Sequence, residues 1–187
     1  MSSASDPIAG DGFLLRPWRP DDCGALVLHA NDEQVSRGLS DRFPYPYTET
    51  DAQAFLGALP SLPTLVMAIE VDGGAVGGIG LTPGEDLHRI GAQLGYWLGR
   101  RYWGRGLMSR VVTRWCQNAF ERFGYERLQA TVLSNNPASA RVLEKAGFER
   151  EGTLRRAGIK RNEVLDFWMY AMLRPSPSRQ ARRSDND

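Results

Sequence analysis

The chain has 187 residues, is 42% hydrophobic and carries a formal net charge of +1 at pH 7. That is enough apolar material for one domain with a sizeable core, without a second domain, a disulfide framework or a metal. The near-balanced charge leaves no global field to draw in nucleic acid or a membrane surface, and no apolar run is long enough to span a bilayer. Met1 to Gly10 is small and polar, without the apolar stretch of a signal peptide, so residues 1–11 read as a disordered segment of a soluble, cytoplasmic protein. Phe13 to Arg16 reads as a short first strand ended by Pro17. Pro20-Asp21-Asp22 then starts a helix through Ala25, Leu26, Leu28 and Ala30, which Asn31-Asp32 breaks. Phe43-Pro44-Tyr45-Pro46-Tyr47 is a fixed aromatic loop, and Thr48 with Asp51 forms a capping box for a helix through Phe55, Leu56 and Leu59.

From Leu65 the period changes to extended. Residues 65–71 and 75–81 form two antiparallel strands about a turn at Asp72-Gly73-Gly74. Gly77, Gly78 and Gly80 weaken the second strand and predict a bulge or a group lying close against the backbone. A polar loop follows, holding Glu85, Asp86 and His88 as solvated charges, and then a strand over 90–98. After Gly106, Leu107, Val111, Trp115, Ala119 and Phe123 recur at spacing four and predict a core helix that Gly124 closes. A strand over 128–133 leads to Asn136 as N-cap, Pro137 at the first helical position and Gly147 past the end of a three-turn helix. Residues 148–154 and 164–173 are the last two strands, and residues 174–187 read as a disordered tail. Cys23 and Cys116 lie far apart with no Cys/His cluster nearby, as reduced thiols and no metal site would have it.

Between the 90–98 strand and the 107–123 helix lies Arg101-x-x-Gly104-x-Gly106, a strand, a glycine loop and a helix N-terminus in succession. There, backbone N–H groups and the helix dipole favour an anion. Arg100, Arg101, Arg105, Arg110 and Arg114 concentrate positive charge around it. A Walker loop would need Lys-Ser/Thr after the last glycine, where Leu107 and Met108 stand. A Rossmann fingerprint would need glycine at Ser109. What fits resembles the pyrophosphate loop of the GNAT superfamily of acyl-CoA-dependent N-acetyltransferases. The order of elements over residues 12–173 is similar to that fold as well, an α+β domain with a central mixed, mostly antiparallel sheet flanked by helices. Gly95-Tyr96-Trp97-Leu98, Asn136-Pro137-Ala138-Ser139, Leu143 to Phe148, Glu151-Gly152-x-Leu154-Arg155 and Asp166 with Tyr170 resemble the RimJ/RimL-like branch, which acetylates ribosomal-protein N-termini.

The resemblance implies acetyl-CoA as donor, coenzyme A as product, no metal, and a primary amine acceptor, either a protein N-terminus or a small molecule. It also implies a monomer or homodimer. Leu98, Arg101, Trp103, Gly104, Arg105, Gly106, Leu107, Asn136 and Ser139 would hold the cofactor, with the Leu98 N–H polarising the thioester carbonyl and the end of the 90–98 strand pairing with the pantetheine arm. Many relatives protonate the leaving thiolate with a tyrosine where this chain has Leu143. Ser139 matches the serine that takes this role in the RimL-like branch. Gly158 occupies the place of a glutamate base found in some relatives, which leaves Glu163 nearby as a candidate, with a water relay as the alternative. Tyr45, Tyr47 and Trp97 are candidates to line the acceptor pocket. The missing tyrosine keeps open a non-catalytic acyl-CoA-binding module, and a longer donor such as succinyl-CoA is a further alternative.

Overall fold

The structure is a computed structural model that describes residues 6–175. One eight-stranded sheet organises it, in the order β1-β2-β3-β4-β5-β6-β8-β7. The strands are β1 (Ile8–Gly10), β2 (Phe13–Pro17), β3 (Leu65–Val71), β4 (Gly74–Pro83), β5 (Gly91–Leu98), β6 (Arg127–Leu133), β7 (Glu149–Lys160) and β8 (Glu163–Leu173). The helices are α1 (Cys23–Ala30), α2 (Glu33–Arg37), α3 (Glu49–Ala58), α4 (Leu107–Phe123) and α5 (Pro137–Ala146). All neighbouring strands are antiparallel except β5 and β6.

The faces of β5 show how the layers form. Leu94, Tyr96 and Leu98 join the main core with α4 and α5, whereas Trp97 packs with Trp18, Phe43 and the residues of α1 and α3. Because strand side chains alternate, α4 and α5 cover one face of the sheet and α1 and α3 the other. On α4 the predicted stripe is fully buried at Val111, Trp115 and Ala119. The Thr48–Asp51 capping box forms as read, with Asp51 N–H donating to Thr48 Oγ1 and Thr48 N–H to the Asp51 carboxylate. Gly78 is glycine because a Cβ there would sit 2.8 Å from Trp97 Nε1 and 3.1 Å from Trp18 Cζ2. Those two indoles stack at 6.4 Å, whereas at Gly77 and Gly80 a Cβ would meet the backbone carbonyls of Trp97 and Leu65, at 2.5 and 2.9 Å. A register shift at Ile69/Glu70 of β3 adds a bulge nearby.

Four details differ from the sequence reading. Ile8–Gly10 is a strand within the segment read as disordered. It turns at Asp11-Gly12 into β2, buries Ile8 at 4% exposure, and is held to α4 by Arg114 Nε donating to Ala9 O and Arg110 Nε to Asp11 O. A single apolar residue and one turn dipeptide gave too little periodicity to mark it. α2 appears where the sequence shows only a break at Asn31-Asp32, with Asp32 as its N-cap. β7 runs to Lys160, through two register shifts, into a two-residue turn at Arg161-Asn162 with φ of 50° and 64°, as type I′ hairpins require. Arg174, assigned to the tail, is fixed: its side chain donates to Tyr125 O and Phe120 O. Residues 1–5 and 176–187 of the two predicted disordered segments lie outside the described residues.

Behind the first strands sits a buried charge network. Arg16, 2% exposed, donates through both terminal nitrogens to Asp22 at 2.7 Å and through Nε to Glu70. Burial alone would raise the Asp22 carboxyl, but Arg16 and the Arg19 N–H outweigh it and hold that carboxyl below its ordinary value. A depressed carboxylate contributes stability above its unfolded value, which is lost as pH falls through the folded one. Asp22→Ala leaves Arg16 with Glu70 alone. It is expected to cost roughly 3 kcal/mol at pH 7, or about 6–12 °C of Tm in a domain of this size. Thermal melts from pH 7 down to pH 3 check this: the gap between variant and parent should narrow as pH falls.

Candidate active site

The site begins where two neighbouring strands part. β5 and β6 pair in parallel through Gly91–Arg127, Ala92–Leu128 and Gln93–Gln129 and no further. From Leu94 onward β5 stays with β4, while from Ala130 onward β6 stays with β8, so the sheet opens like a V. A cleft of about 870 Å³ fills the opening, walled by β5 and the loop after it on one side and by β6 and the β7–β8 hairpin on the other.

The phase of the β4–β5 ladder determines what β5 offers this cleft. Gly84 N–H donates to Gly91 O at 2.9 Å and Gly99 N–H to Val76 O at 2.8 Å, which makes the odd-numbered residues of β5 the ones that exchange hydrogen bonds with β4. In an antiparallel pair the alternate residues direct their N–H and C=O outward. Those are Leu94, Tyr96 and Leu98, whose main chain therefore faces the cleft. Trp103 Nε1 donates to Leu98 O at 2.7 Å, which occupies that carbonyl and leaves the Leu98 N–H directed inward.

The loop then delivers α4. Gly104 and Gly106 both take left-handed backbone, φ 73° and 70°, and Gly106 is the N-cap of α4 without any side-chain cap. Nothing lies within 4 Å of where a Gly104 Cβ would be. The first N–H groups of a 17-residue helix thus open onto the cleft beside backbone that has no side chain to obstruct it. His29 braces the loop from behind, edge-on to Tyr102 at 5.6 Å. Burial and the nearby Arg101 push its imidazole down, toward the neutral form. Of the five arginines read as local positive charge, Arg110 and Arg114 are engaged with the N-terminal hairpin and Arg100 lies 3.8 Å from Asp32. Arg101 and Arg105 remain with the loop itself.

α5 brings the hydroxyl chemistry. Asn136 caps it as predicted: Ser139 N–H donates to Asn136 Oδ1 at 3.2 Å, and Asn136 Nδ2 donates to Gly38 O at 3.4 Å, tying the helix to the segment after α2. Ser139 Oγ lies 2.8 Å from Tyr96 Oη, and Ser139 O lies 3.2 Å from it, so the single phenolic hydrogen has two acceptors within reach, of which the serine hydroxyl is the nearer. Tyr96 stands on β5, across the cleft floor from α5, and was not singled out from the sequence as a site residue. Burial pushes its phenol well above the ordinary tyrosine range, so it stays protonated. Leu143 is fully buried beneath. The carboxamide of Asn135, also lining the cleft, is buried with no hydrogen-bond partner at either end among the described residues.

The remaining candidates separate. Trp97, Leu98, Trp103, Gly104, Gly106, Leu107, Asn136 and Ser139 line the cleft, while Arg101 and Arg105 stand just outside it. Tyr47 does not reach it: it is 5% exposed, packed with Leu26, Ala30 and Ala52, and burial pushes its hydroxyl up to about 12. Tyr45 is half-exposed under the Arg161 guanidinium, 5.5 Å away. Glu163 is exposed at the hairpin turn, outside the lining, and is not brought together with Ser139. Cys116 is buried and its thiol pushed up to about 12, which leaves it unreactive.

A family model described as an acetyltransferase (GNAT) domain matches residues 13–149. The chain is similar to the uncharacterized N-acetyltransferase YoaA of Bacillus subtilis strain 168, 32% identical over 169 residues, which span 88% of this chain and 95% of that one. In fold it is similar to RimL, a ribosomal L7/L12 alpha-N-protein acetyltransferase solved with coenzyme A: TM-score 0.79, 20% identity, 90% of this chain and 98% of the other. The microcin C7 self-immunity acetyltransferase MccE, solved with acetyl-CoA and AMP, gives a TM-score of 0.76 at 19% identity over 88% of this chain and 93% of its own.

Proposed function

The chain belongs to the GNAT family of N-acetyltransferases, and from that premise we propose that it moves an acetyl group from acetyl-CoA to a primary amine by direct attack, in the cleft between β5 and β6. The observation that carries this reading is the inward-facing main chain of β5 lying between an uncapped helix N-terminus and a buried pair of hydroxyls. A donor with phosphates at one end and amides along its length fits this cleft. The N–H groups at the start of α4 suit the phosphates, the Tyr96 and Leu94 main chain suits an extended arm as an added strand, and the unpartnered Asn135 carboxamide matches an amide. When bound, acetyl-CoA supplies the thioester whose acetyl group is transferred and whose thiol leaves.

The chain's own residues then have distinct tasks. The Leu98 N–H presents a donor to a carbonyl oxygen on which negative charge builds. Ser139 Oγ donates a proton to the departing sulfur and recovers one, relayed by water, from the nitrogen that has attacked. Tyr96, kept protonated by burial, directs it: when the phenol donates to Ser139 Oγ, the serine hydrogen is free to point into the cleft. The acceptor must arrive as free amine, so the rate should rise with pH through the ionisation of the acceptor. Glu163 is given no part, because it stands outside the cleft. Leu143 in place of the more usual tyrosine supports one rival, a module that binds acyl-CoA without turnover. Acetyl-CoA would raise the Tm of such a module, and no amine would release thiol from it.

Six substitutions test the assignment. Gly104→Val puts a side chain where the backbone is left-handed and the cleft open, so acetyl-CoA affinity by calorimetry should fall by more than about tenfold while the protein stays folded. Arg101→Ala and Arg105→Ala should weaken it only modestly and less at high salt. Ser139→Ala should lower kcat by about tenfold to a hundredfold with acetyl-CoA affinity retained. Tyr96→Phe should lower kcat several-fold, and the double variant should be little worse than Ser139→Ala, because the two act as one unit. Equal losses of kcat and of acetyl-CoA affinity in Ser139→Ala would make it a binding contact instead. Glu163→Gln should leave both the rate and its pH profile unchanged.

A further inference from the structure

The proposed chemistry leaves one buried charge in the cleft without a task. Lys160, the last residue of β7, has a side chain only 7% exposed, yet it lines the cleft on the wall opposite the α4 loop. Its Nζ donates to Asp41 Oδ1 at 2.7 Å, and Asp41, on the segment after α2, is 76% exposed. An ammonium has three donors and burying it is costly unless they are satisfied. Here a single acceptor among the described residues, itself mostly in water, answers for it. Glu163 faces Lys160 across the hairpin, but its side chain is exposed and does not enter the cleft.

The sign of the cleft points the same way. Among its lining residues Arg37, Arg141, Lys145 and Lys160 are cationic and Asp41 alone is acidic. An acceptor carrying only positive charge would enter against this field, whereas one that brings a carboxylate is drawn in. Lys160 and Asp41 together present a plus and a minus group 2.7 Å apart, complementary to a molecule with an amine and a carboxylate close together. We infer that the acceptor is an amine bearing a carboxylate a few bonds away, with Lys160 binding that carboxylate and Asp41 facing the amine. This rests on the acetyl-transfer reading above and narrows it.

Thiol release from acetyl-CoA by the full-length protein tests it with two matched acceptor pairs. Alanine against alaninamide reports an α-carboxylate. The peptide amides Ala-Asp-Gly and Ala-Asn-Gly report an acidic second side chain. Values of kcat/KM are compared per unprotonated amine, since the amide lowers the amine pKa. The carboxylate member of one pair should be preferred by about tenfold or more, the worth of one charge-assisted hydrogen bond. That preference should collapse toward unity in Lys160→Met and persist in part in Lys160→Arg, with acetyl-CoA affinity retained in both. Equal use of both members of each pair by the parent protein overturns the inference even where Lys160→Met fails to fold, and so does a preference that survives in a folded Lys160→Met. Either result leaves acetyl transfer standing. If acetyl-CoA stabilises the protein yet no acceptor releases thiol, the transferase reading fails and takes this one with it.

Discussion

The structure turns on a strand pairing that stops after three residues. A parallel ladder between β5 and β6 that continued to Leu98 and Leu133 would close the sheet and spend the main-chain groups of Leu94, Tyr96 and Leu98 on a neighbour. Because β6 is held by β8 along its whole length and β5 by β4, each strand follows its own partner and the gap between them persists. Apolar burial on both faces keeps the halves rigid without bridging it: α4 packs on one face through Val111 and Trp115, and Trp18 stacked on Trp97 fixes β5 from the other side. An open seam through the middle of a sheet would ordinarily expose unsatisfied backbone to water in a narrow space. Here it is wide enough to take an extended molecule that brings its own hydrogen bonds.

What could be read from the chain is what is encoded locally. The glycine loop, the Asn136–Pro137 start and Gly147 stop of α5, and the spacing-four stripe of α4 are all specified within a few turns of sequence, and the structure has them. The pairing of Tyr96 with Ser139 spans 43 positions, and nothing in Gly95-Tyr96-Trp97-Leu98 says that this tyrosine reaches across to a helix made later in the chain. A pattern did exist, since position 96 shares the buried parity of Leu94 and Leu98, and a polar tip on a buried position needs a partner. Lys160 and Asp41 were hidden for the same reason, 119 residues apart. Tyr45 and Tyr47 were drawn toward the site by residue type alone. Their loop is fixed, as the two prolines indicated, but what fixes Tyr47 is the second core, which uses it as filler.

Polar groups buried in this fold divide by how completely they are answered. Arg16 is met by Asp22 and Glu70, and Tyr170 by Glu144 at 2.8 Å, and neither Arg16 nor Tyr170 lines the cleft. Around the cleft the pairing is incomplete, at the Asn135 carboxamide, the N-terminus of α4 and the Lys160 amine. Incomplete satisfaction costs stability in the free protein, and a ligand with matching groups recovers it. Incomplete pairing does not by itself mark the cleft, since Trp18 Nε1, Trp115 Nε1 and Asn118 Oδ1 are also buried without a partner among the described residues and do not line it; what sets the cleft apart is that such groups meet an opening there.

One end of the sheet is the twelve-residue β7, whose outer edge has no strand beside it among the described residues. A long, flat edge is a template on which another chain can add, and this one carries exposed Leu154 and Ile159. Its two register shifts, at Arg150/Gly152 and Leu154/Gly158, break the ladder and twist the ribbon, while Arg150, Glu151, Arg155 and Arg156 place charge along it. The irregularity of β7 therefore guards against fibrous self-association. Straightening β7, for example by deleting the residues of its second shift, would trade solubility for regularity.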